Sequence, residues 1–373
     1  MKVISKKATV CVTNDLISDQ RVHRTCLVLM EEGYSVMLVG RRFRHSQAVH
    51  RPYKTYRFRL LFNKKALFYA EYNIRLLLFL LFSRNHLIVS NDLDTLCACF
   101  VASKLKKTKL LYDSHEYFTQ VPELTHRRKI QKIWNYIERK IFPHLPFAVT
   151  VSDSIAQAYN QKYGVPVFTI RNLPLLKTWS HEQVIKIKGE RVLMYQGALN
   201  VGRGLELLVD TISLLDERYV LLLAGSGDIE NNLKARTKNM KLDNRVIFLG
   251  KVPAEKLHFY TLAAHLGFSL EEDMGLNYRY ALPNKLFDYI QAHVPVICSA
   301  LPEIEKIVLH YKVGRCLSKE QLNANYLAAF INSLWANPEQ LSEWKENCKI
   351  AAEELNWENE KLKLKQILKE FIN

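Results

Sequence analysis

The stretch ALPNKLFDYIQAHVPVICS, residues 281–299, predicts a short helix followed at once by a buried strand. Pro283 suits the first turn of a helix, where its missing N–H costs no hydrogen bond. Lys285 and Asp288 stand three residues apart and therefore on one helix face. A surface ion pair is one explanation, worth less than about 1 kcal/mol. The other is a ligand that carries a phosphate at one end and hydroxyls at the other.

Short apolar runs alternate with amphipathic stretches along nearly the whole chain. The predicted strands are Ala8–Thr13, Ser35–Gly40, Leu87–Ser90, Lys109–Tyr112, Ala148–Val151, Val192–Tyr195, Tyr219–Ala224, Val246–Leu249, Leu266–Ser269 and Pro295–Cys298. The predicted helices are Val22–Glu32, Asp94–Lys104, Arg128–Phe142, Gly204–Asp216, Ile229–Met240, Pro253–Ala264 and Asn284–His293. This alternation is typical of parallel sheets with helices on both faces. We therefore predict an α/β protein of two doubly wound, Rossmann-like domains that face each other across a cleft.

A polar segment without periodicity, NLPLLKTWSHEQVIKIKGE, separates the two halves of the pattern. A length of 373 residues is enough for two domains that each bury a core. We predict an N-terminal domain over residues 1–172, a linker over 173–190 and a C-terminal domain over 191–345. A C-terminal helix within 346–373, with its charged part near Trp357–Ile372, is expected to cap the fold.

The composition points to a cytoplasmic protein with reduced thiols. The seven cysteines are odd in number and scattered, and no C-x-x-C occurs. The apolar run after the N-terminal lysines is too short for a signal peptide. The apolar stretch Ala66–Phe82 is interrupted by Glu71 and Arg75 and is shorter than the ~20 residues of a membrane span.

The excess positive charge lies entirely in the first half of the chain. Residues 1–175 hold 28 Lys and Arg against 12 Asp and Glu, whereas residues 176–373 hold 25 of each. A basic domain beside a neutral one favours an anionic partner, either nucleic acid or the cytoplasmic leaflet of a membrane.

Two glycine-rich turns follow predicted strands of the second half. In YQGALNVGRGLELLVD, Gly197 begins the turn and Arg203 adds a cation just before a helix, and in LLLAGSGD the next strand ends at Gly225. Backbone N–H groups at such a turn, with a positive helix end behind them, form an anion site. A diphosphate near Lys285 would place a ribose near Asp288, about 7 Å along the helix from its start. That carboxylate can accept hydrogen bonds from both vicinal hydroxyls.

Segments from almost the whole chain resemble the GT-B retaining glycosyltransferases of family 4, also called glycosyl transferases group 1. In the second half these are YQGALNVGRGLELLVD, LLLAGSGD, VIFLGKVP and LPNKLFDYIQAHVPVICS. In the first half they are TNDLISDQRVHRTCLVLMEEGYSVMLVG, NDLDTL, LLYDSHEYF and FAVTVSDSIAQAYNQKYGVPVFTIRNLP.

The resemblance implies a role for each matching residue. His115, Arg203 and Lys285 would be catalytic, with His115 under the transferred sugar and the two cations neutralising the leaving diphosphate. The donor would be bound by a set from the C-terminal half: Gly197, Arg203, Gly225, Asn284, Lys285 and Asp288. The acceptor side would use residues of the N-terminal half: Asp15, Asp19, Arg21 and Glu116. The reaction would be a metal-independent hexosyl transfer with retention, from a UDP- or GDP-sugar and without a cofactor.

Three features depart from the family pattern. Tyr280 stands where the family has a glutamate, and the ribose residue is Asp288 rather than a glutamate. Ala198 follows Gly197 where an arginine is frequent. The N-terminal glycine loop is replaced by NDLISDQR. The acids Glu271, Glu272 and Asp273 are candidates to replace the missing glutamate. These departures bear on the donor sugar more than on the reaction.

In residues 41–82 basic and aromatic residues interleave before the apolar run. Such a pattern suits a nucleic-acid groove, but no nucleic-acid motif accompanies it and we expect no nucleic-acid partner. It also suits an anionic membrane surface, which makes the protein a candidate peripheral membrane protein on the inner face. We predict that Ala66–Phe82 is a buried helix of the first domain, with the contact of its basic flanks to anionic lipid as a hypothesis. The pair Asp92-x-Asp94 has the spacing of a metal site in another fold, but here helix capping is the better prediction.

We therefore predict a glycosyltransferase that moves a sugar from a nucleotide-diphosphate donor to a glycan or lipid-linked acceptor in cell-surface polysaccharide synthesis. The C-terminal domain would bind the donor and the basic N-terminal domain the acceptor. Two alternatives stay open. One is a nucleotide-sugar 2-epimerase of the same fold, and the other is a non-catalytic module that binds a sugar nucleotide or a nucleic acid.

Overall fold

The computed structural model describes residues 6–372 except 18, 177–184, 186 and 188. Much of the predicted linker therefore lies outside the described residues. The chain forms two compact units, the first made of residues 1–172 and 360–373 and the second of residues 173–359.

The first unit contains a seven-stranded, all-parallel sheet in the order β3-β2-β1-β4-β5-β6-β7. Its strands are β1 (Lys6–Cys11), β2 (Tyr34–Arg42), β3 (Lys54–Arg59), β4 (Leu87–Asn91), β5 (Lys109–Ser114), β6 (Ala148–Thr150) and β7 (Val167–Thr169). Its helices are α1 (Gln20–Glu31), α2 (Lys65–Phe82), α3 (Leu93–Lys106), α4 (Pro122–Thr125), α5 (Arg128–Ile141) and α6 (Asp153–Tyr163).

The second unit contains a six-stranded parallel sheet in the order β10-β9-β8-β11-β12-β13. Its strands are β8 (Arg191–Gln196), β9 (Tyr219–Ala224), β10 (Val246–Gly250), β11 (Leu266–Ser269), β12 (Val296–Ser299) and β13 (Gly314–Leu317). Its helices are α7 (Leu205–Leu214), α8 (Glu230–Asn239), α9 (Ala254–Leu262), α10 (Leu276–Arg279), α11 (Asn284–Gln291), α12 (Pro302–Tyr311), α13 (Ala324–Ala336) and α14 (Pro338–Glu354). The last helix of the chain is α15 (Trp357–Phe371).

Both faces of the second sheet are buried, as the side-chain alternation of its strands requires. Leu193 and Tyr195 of β8 pack into a core with α7 and α13. Val192 and Met194 of the same strand pack into another core with α11, α12 and α14. A parallel sheet covered on both faces is the doubly wound arrangement, so the predicted fold class of two Rossmann-like units is confirmed.

The structure differs from the sequence prediction in several elements. All ten predicted strands form, but β3, β7 and β13 are additional. The charged helix predicted near Trp357–Ile372 forms as α15 (Trp357–Phe371), but the segment 346–373 is not one helix, because α14 ends at Glu354. Residues 360–373 belong to the first unit, where the Phe371 ring lies 4.7 Å from that of Phe147.

Helix α2 was predicted as a buried helix, which is correct for only one of its faces. Phe68, Tyr72, Leu76 and Leu80 are buried, whereas Leu67, Ile74, Leu78 and Phe82 are exposed. Among the described residues, no helix is both long enough and apolar enough to cross a bilayer.

Candidate functional site

The second sheet reverses its strand order between β8 and β11, which lie side by side. The loops that leave their carboxyl ends therefore diverge to opposite faces and open a crevice, the usual ligand position in doubly wound sheets. Gln196 ends β8 and Gly197 follows it, while Glu271 comes two residues after the end of β11. The structure thus brings the glycine turn and an acidic residue to one edge.

The two predicted glycine turns touch each other. The Gly197 N–H donates to the Ala224 carbonyl at 2.9 Å, and Gly225 follows directly. A Cβ added at Gly225 would lie 1.8 Å from the Gly197 carbonyl oxygen, so a side chain there would force the turns apart. Glycine is required here by close approach of two backbones.

Lys285 projects from the first turn of α11 onto Glu271. Its Nζ lies 2.5 Å from Glu271 Oε1, and the two side chains are 8% and 1% exposed. The same Nζ stands 4.1 Å from the centroid of the Tyr195 ring, a cation–π contact. The ion pair is therefore buried, and the surface pair between Lys285 and Asp288 considered from the sequence is wrong.

Arg203 reaches the same carboxylate from the glycine turn. Its Nη1 lies 3.5 Å from Glu271 Oε1, and Ser269 Oγ donates to Glu271 Oε2 at 2.6 Å. Burial raises the pKa of Glu271, but the charge and hydrogen bond of Lys285, the hydrogen bond of Ser269 and the charge of Arg203 together outweigh burial, and the net pKa is lowered. Glu271 is thus an anion that holds both predicted phosphate-binding cations. Within the described residues, Arg203 Nε is buried without a hydrogen-bond partner.

Asp288 lies half-buried on α11, and Gln196 Nε2 donates to its Oδ2 at 2.8 Å. The Gln196 amide is itself oriented, since Thr261 Oγ1 donates to its Oε1 at 2.8 Å. Asn284 is exposed at the start of the helix. We name Gln196, Arg203, Glu271, Lys285 and Asp288 the C-terminal switch-point cluster. Sequence analysis did not assign Gln196 a role, although a polar residue at a buried strand end is a usable signal.

The first sheet has an equivalent switch point between β1 and β4. His115 directly follows β5, and its Nε2 lies 3.2 Å from Asn91 Oδ1 and 3.5 Å from Asp113 Oδ2. Its Nδ1 lies 3.5 Å from Asp92 Oδ2, and its backbone N–H donates to Asp92 Oδ1 at 2.8 Å. We name Arg21, Asn91, Asp92, Asp113 and His115 the N-terminal switch-point cluster.

The carboxylates around His115 set its charge. Burial lowers the pKa of the imidazole, but Asp92 and Asp113 outweigh burial and raise it to about 9. Arg21, with Nη2 at 2.6 Å from Asp113 Oδ1, and His115 together lower the pKa of Asp113 against the opposing effect of burial. At neutral pH the cluster therefore holds an imidazolium between carboxylates.

The predicted acceptor-side residues occupy different environments. Arg21 is 5% exposed, because it is sequestered by Asp113 and by the Ile170 carbonyl. Asp19 caps α1 by accepting from the Val22 N–H at 3.0 Å. Asp15 is half-buried, with Ser46 Oγ 3.5 Å from its Oδ2, and Glu116 is exposed beside His115.

The Asp92-x-Asp94 pair does not cap α3 with its side chains. Asp92 is the residue before the helix but makes no side-chain cap bond, since its Oδ1 is turned to His115. Asp94 instead accepts from Thr13 Oγ1 at 2.5 Å. Burial and the neighbouring Asp92 raise the pKa of Asp94 to about 7. No group of three or more His, Cys, Asp or Glu in the described part of the chain is arranged to hold a metal ion.

Two doubly wound parallel sheets in sequence are the fold of the GT-B glycosyltransferases. Similar solved structures agree. Sucrose-phosphate synthase from Thermosynechococcus elongatus has a TM-score of 0.76 at 16% identity, covering 98% of both chains. HepE from Anabaena in complex with UDP-glucose has a TM-score of 0.75 at 15% identity, covering 97% of this chain and 99% of its own. WaaG, a glycosyltransferase involved in lipopolysaccharide biosynthesis, has a TM-score of 0.71 at 12% identity, covering 97% and 100%.

Family models identify both halves of the chain. The model described as Glycosyltransferase Family 4 matches residues 19–173, and the model described as Glycosyl transferases group 1 matches residues 177–350. None of the curated protein sequences matches significantly. The chain belongs to the GT-B glycosyltransferases, with a family 4 N-terminal half and a group 1 C-terminal half.

Proposed function

We propose that this glycosyltransferase moves a hexose from a nucleotide-diphosphate donor to a glycan or lipid-linked acceptor, with retention of configuration, in cell-surface polysaccharide synthesis. The observation that carries the donor half is the convergence of Arg203 and Lys285 on Glu271 at the β8–β11 switch point, with Asp288 one helical turn away. The second unit would bind the donor, and the basic first unit the acceptor.

The two cations are suited to a leaving diphosphate. Breaking the bond between sugar and diphosphate develops negative charge on the departing oxygen, which fixed positive groups stabilise. Glu271 keeps Arg203 and Lys285 oriented before the donor arrives, so little reorganisation is needed when the charge appears. Arg203, Lys285 and Glu271 together carry one net positive charge that can face the diphosphate. This supports a metal-independent reaction, which an assay in the presence of EDTA would test.

Asp288 would bind the ribose. Gln196 donates to Oδ2, and each carboxylate oxygen can accept more than one hydrogen bond, so the group can still accept from vicinal hydroxyls. The exposed Asn284 at the start of α11 and the turns at Gly197 and Gly225 would contact the remaining donor atoms. The HepE structures contain UDP and UDP-glucose. UDP is therefore the first nucleotide to test, and GDP the second.

A thermal-shift panel tests the donor proposal and identifies the base. Wild type and Asp288→Ala would be compared with UDP, GDP, ADP and CMP and with their common sugars. Stabilisation of wild type by one nucleotide, reduced in Asp288→Ala, supports the proposal. If no nucleotide shifts the melting temperature of wild type, the donor site is refuted.

Retention is tested on the product. With an α-linked nucleotide sugar as donor, proton NMR of the freshly formed glycoside should show an α anomer. A β product would refute retention without affecting the donor site. His115 is proposed to lie by the reacting carbon, where its imidazolium would donate a hydrogen bond to the transferred sugar.

A nucleotide-sugar 2-epimerase is the second candidate, and Asp94 favours it. An epimerase needs a carboxyl group that exchanges a proton near neutral pH, and burial with the charge of Asp92 gives Asp94 a pKa of about 7. A coupled assay for free epimer in the absence of acceptor separates the two reactions. Epimer release at a rate above transfer would favour the epimerase.

The peripheral membrane contact is supported by two exposed helix faces of the first unit. The outer face of α2 exposes Leu67, Ile74, Leu78 and Phe82. On α5, Ile130, Ile133 and Tyr136 are exposed among five basic residues, Arg128, Lys129, Lys132, Arg139 and Lys140. Its one acid, Glu138, is buried against Lys162.

An apolar helix face with cationic flanks suits the interface of an anionic bilayer. Co-sedimentation with phosphatidylglycerol vesicles, but not with phosphatidylcholine vesicles, is the expected result. Equal sedimentation with both lipids, or with neither, would reject the contact.

A further inference from the structure

A cavity of about 580 Å³ opens at the carboxyl ends of the edge strands β2 and β3. It is lined mainly by basic residues with an apolar wall: Arg42, Phe43, Arg44, His45, Arg59, Leu60 and Asn63. None of these residues belongs to either switch-point cluster. The cavity nevertheless lies on the same edge of the first sheet as His115, because all the strands of this sheet are parallel.

The walls of this cavity are held in place. Arg41 stacks between the rings of Phe43 and Phe68, 4.2 Å from each centroid. On the β3 side, the Glu71 carboxylate accepts from the backbone N–H groups of Leu61 and Phe62 at 2.8 to 3.0 Å. The loops are therefore fixed before any ligand binds.

The cavity carries uncompensated positive charge. Residues 41–70 contain six arginines and three lysines and no Asp or Glu. Within the described part of the chain, Arg42, Arg44 and Arg59 form no ion pair. Exposed arginines of the second unit behave differently, since Arg218, Arg236 and Arg279 each pair with an aspartate at 2.5 to 2.6 Å. Two carboxylates come near the cavity: Asp15, through Ser46, and Glu71, which holds the backbone of Leu61 and Phe62 and pairs with Arg75.

We propose that this cavity binds the diphosphate of a lipid-linked acceptor, so that Arg42, Arg44 and Arg59 hold the acceptor by its phosphates. The inference rests on the proposed function and names its acceptor class. Guanidinium groups bind phosphate oxygens in pairs, and three of them more than neutralise the two negative charges of a diphosphate esterified at both ends. Leu61 and Phe62, which follow the cavity wall, are 80% and 46% exposed and offer an apolar path for the attached chain.

The test uses the full chain saturated with the nucleotide that the donor panel identifies, so that Arg203 and Lys285 are occupied. Isothermal titration would compare farnesyl diphosphate, inorganic pyrophosphate and farnesol. The site variant is Arg42→Gln/Arg44→Gln/Arg59→Gln. The matched control is Arg84→Gln/Lys104→Gln/Lys107→Gln, which removes three exposed or half-exposed cations of the same unit away from the cavity.

Farnesyl diphosphate should bind wild type and the control, and its Kd should rise at least about tenfold in the site variant, because charged hydrogen bonds are lost. Pyrophosphate binding weakly at the same site, also lost in the variant, would support recognition through the phosphates. Pyrophosphate binding as tightly as farnesyl diphosphate would overturn the lipid-linked class in favour of a free anion.

Binding of farnesol as tight as that of its diphosphate, or an unchanged Kd in the site variant, would overturn the proposal. A third outcome would also overturn the proposal: farnesyl diphosphate does not bind, but phosphatidylglycerol vesicles bind in a way that depends on the three arginines. The ligand of the cavity would then be a bilayer surface. The nucleotide affinity of the site variant should equal that of wild type. This measurement separates failure of the acceptor proposal from failure of the donor site.

Discussion

Lys285 Nζ lies 2.5 Å from Glu271 Oε1, and both side chains are almost completely buried. The two residues come from different elements, one from the start of α11 and the other from the loop after β11. Their pairing fixes the Lys285 ammonium at the carboxyl edge of the second sheet, where the Gly197 turn and Arg203 also lie. A buried pair of this kind is costly to break on one side only, because the remaining charge has lost its partner.

Replacing Lys285 by methionine should therefore lower the free energy of unfolding by about 3 kcal/mol. The double variant Lys285→Met/Glu271→Gln should recover most of that loss, since the charge left without Glu271 is then Arg203, which is 26% exposed. Urea denaturation at pH 7 measures both. Lys349→Met is the control, because Lys349 and Glu346 are 49% and 62% exposed and such pairs contribute less than about 1 kcal/mol. A double variant as unstable as the single one would contradict the pairing.

The positive charge of His115 should make the free energy of unfolding fall as the pH becomes alkaline. Its folded pKa is about 9 and its ordinary value is 6.5, so the stabilisation is fully present below pH 6.5 and is lost as the pH rises through 9. The groups that face the ring are Asp92, Asp113 and Arg21. We expect the free energy of unfolding to fall by up to about 3 kcal/mol between pH 6.5 and 9.5, and by much less in His115→Asn. Denaturant unfolding across this range measures the difference, and identical curves for the two proteins would count against the imidazolium.

Asp92 adopts a backbone conformation that normally belongs to glycine, with φ 59° and ψ 167°. Such a conformation costs on the order of 1–3 kcal/mol for other residues. Asp92→Gly should therefore be more stable than Asp92→Ala by about 1 kcal/mol, although both lose the hydrogen bond to the His115 N–H. Sugar transfer should fall at least about tenfold in both variants. A glycine variant with full activity would show that the Asp92 carboxylate does not position His115.

Gln196 should act on the nucleotide through Asp288. Gln196→Met removes the hydrogen bond to Asp288 Oδ2 with little change in volume. We expect the Kd of the nucleoside diphosphate to rise about fivefold, as for a loss of about 1 kcal/mol. Thr261→Val removes the hydrogen bond that orients the Gln196 amide but keeps the amide itself, so it should have a smaller effect on the Kd. Calorimetry measures the Kd for wild type, Gln196→Met and Thr261→Val. Equal values for the three proteins would show that Gln196 has no role in nucleotide binding.

The fold could be predicted from the sequence because the strands of parallel sheets are continuous apolar runs. Val192–Tyr195 and Leu266–Ser269 have no polar interruption, and both form as β8 and β11. β3 was missed because KTYRFR alternates basic and aromatic residues on an edge strand, where only Phe58 is buried. β7 was missed for a related reason, since its three residues are all half-buried.

The candidate site could be predicted only where local chemistry identifies it. Gly197 and Gly225 indicate turns because they are glycines after apolar runs. The three-residue spacing of Lys285 and Asp288 predicts that they share a helix face. The pairing of Lys285 with Glu271 depends on how α11 packs against β11, which spacing along the chain does not reveal. For the same reason Arg21 was expected to face a ligand, whereas long-range folding brings it to Asp113, 92 residues away.

The most direct test of the donor site is a calorimetric cycle that changes Asp288 and the ribose together. The nucleoside diphosphate identified by the thermal-shift panel and its 2′,3′-dideoxy analogue would be titrated into wild type and Asp288→Ala. We predict that Asp288→Ala raises the Kd of the natural nucleotide at least about tenfold and that of the dideoxy analogue less than about twofold. An equal effect on both nucleotides, or none on either, would contradict the assignment of Asp288 to the ribose.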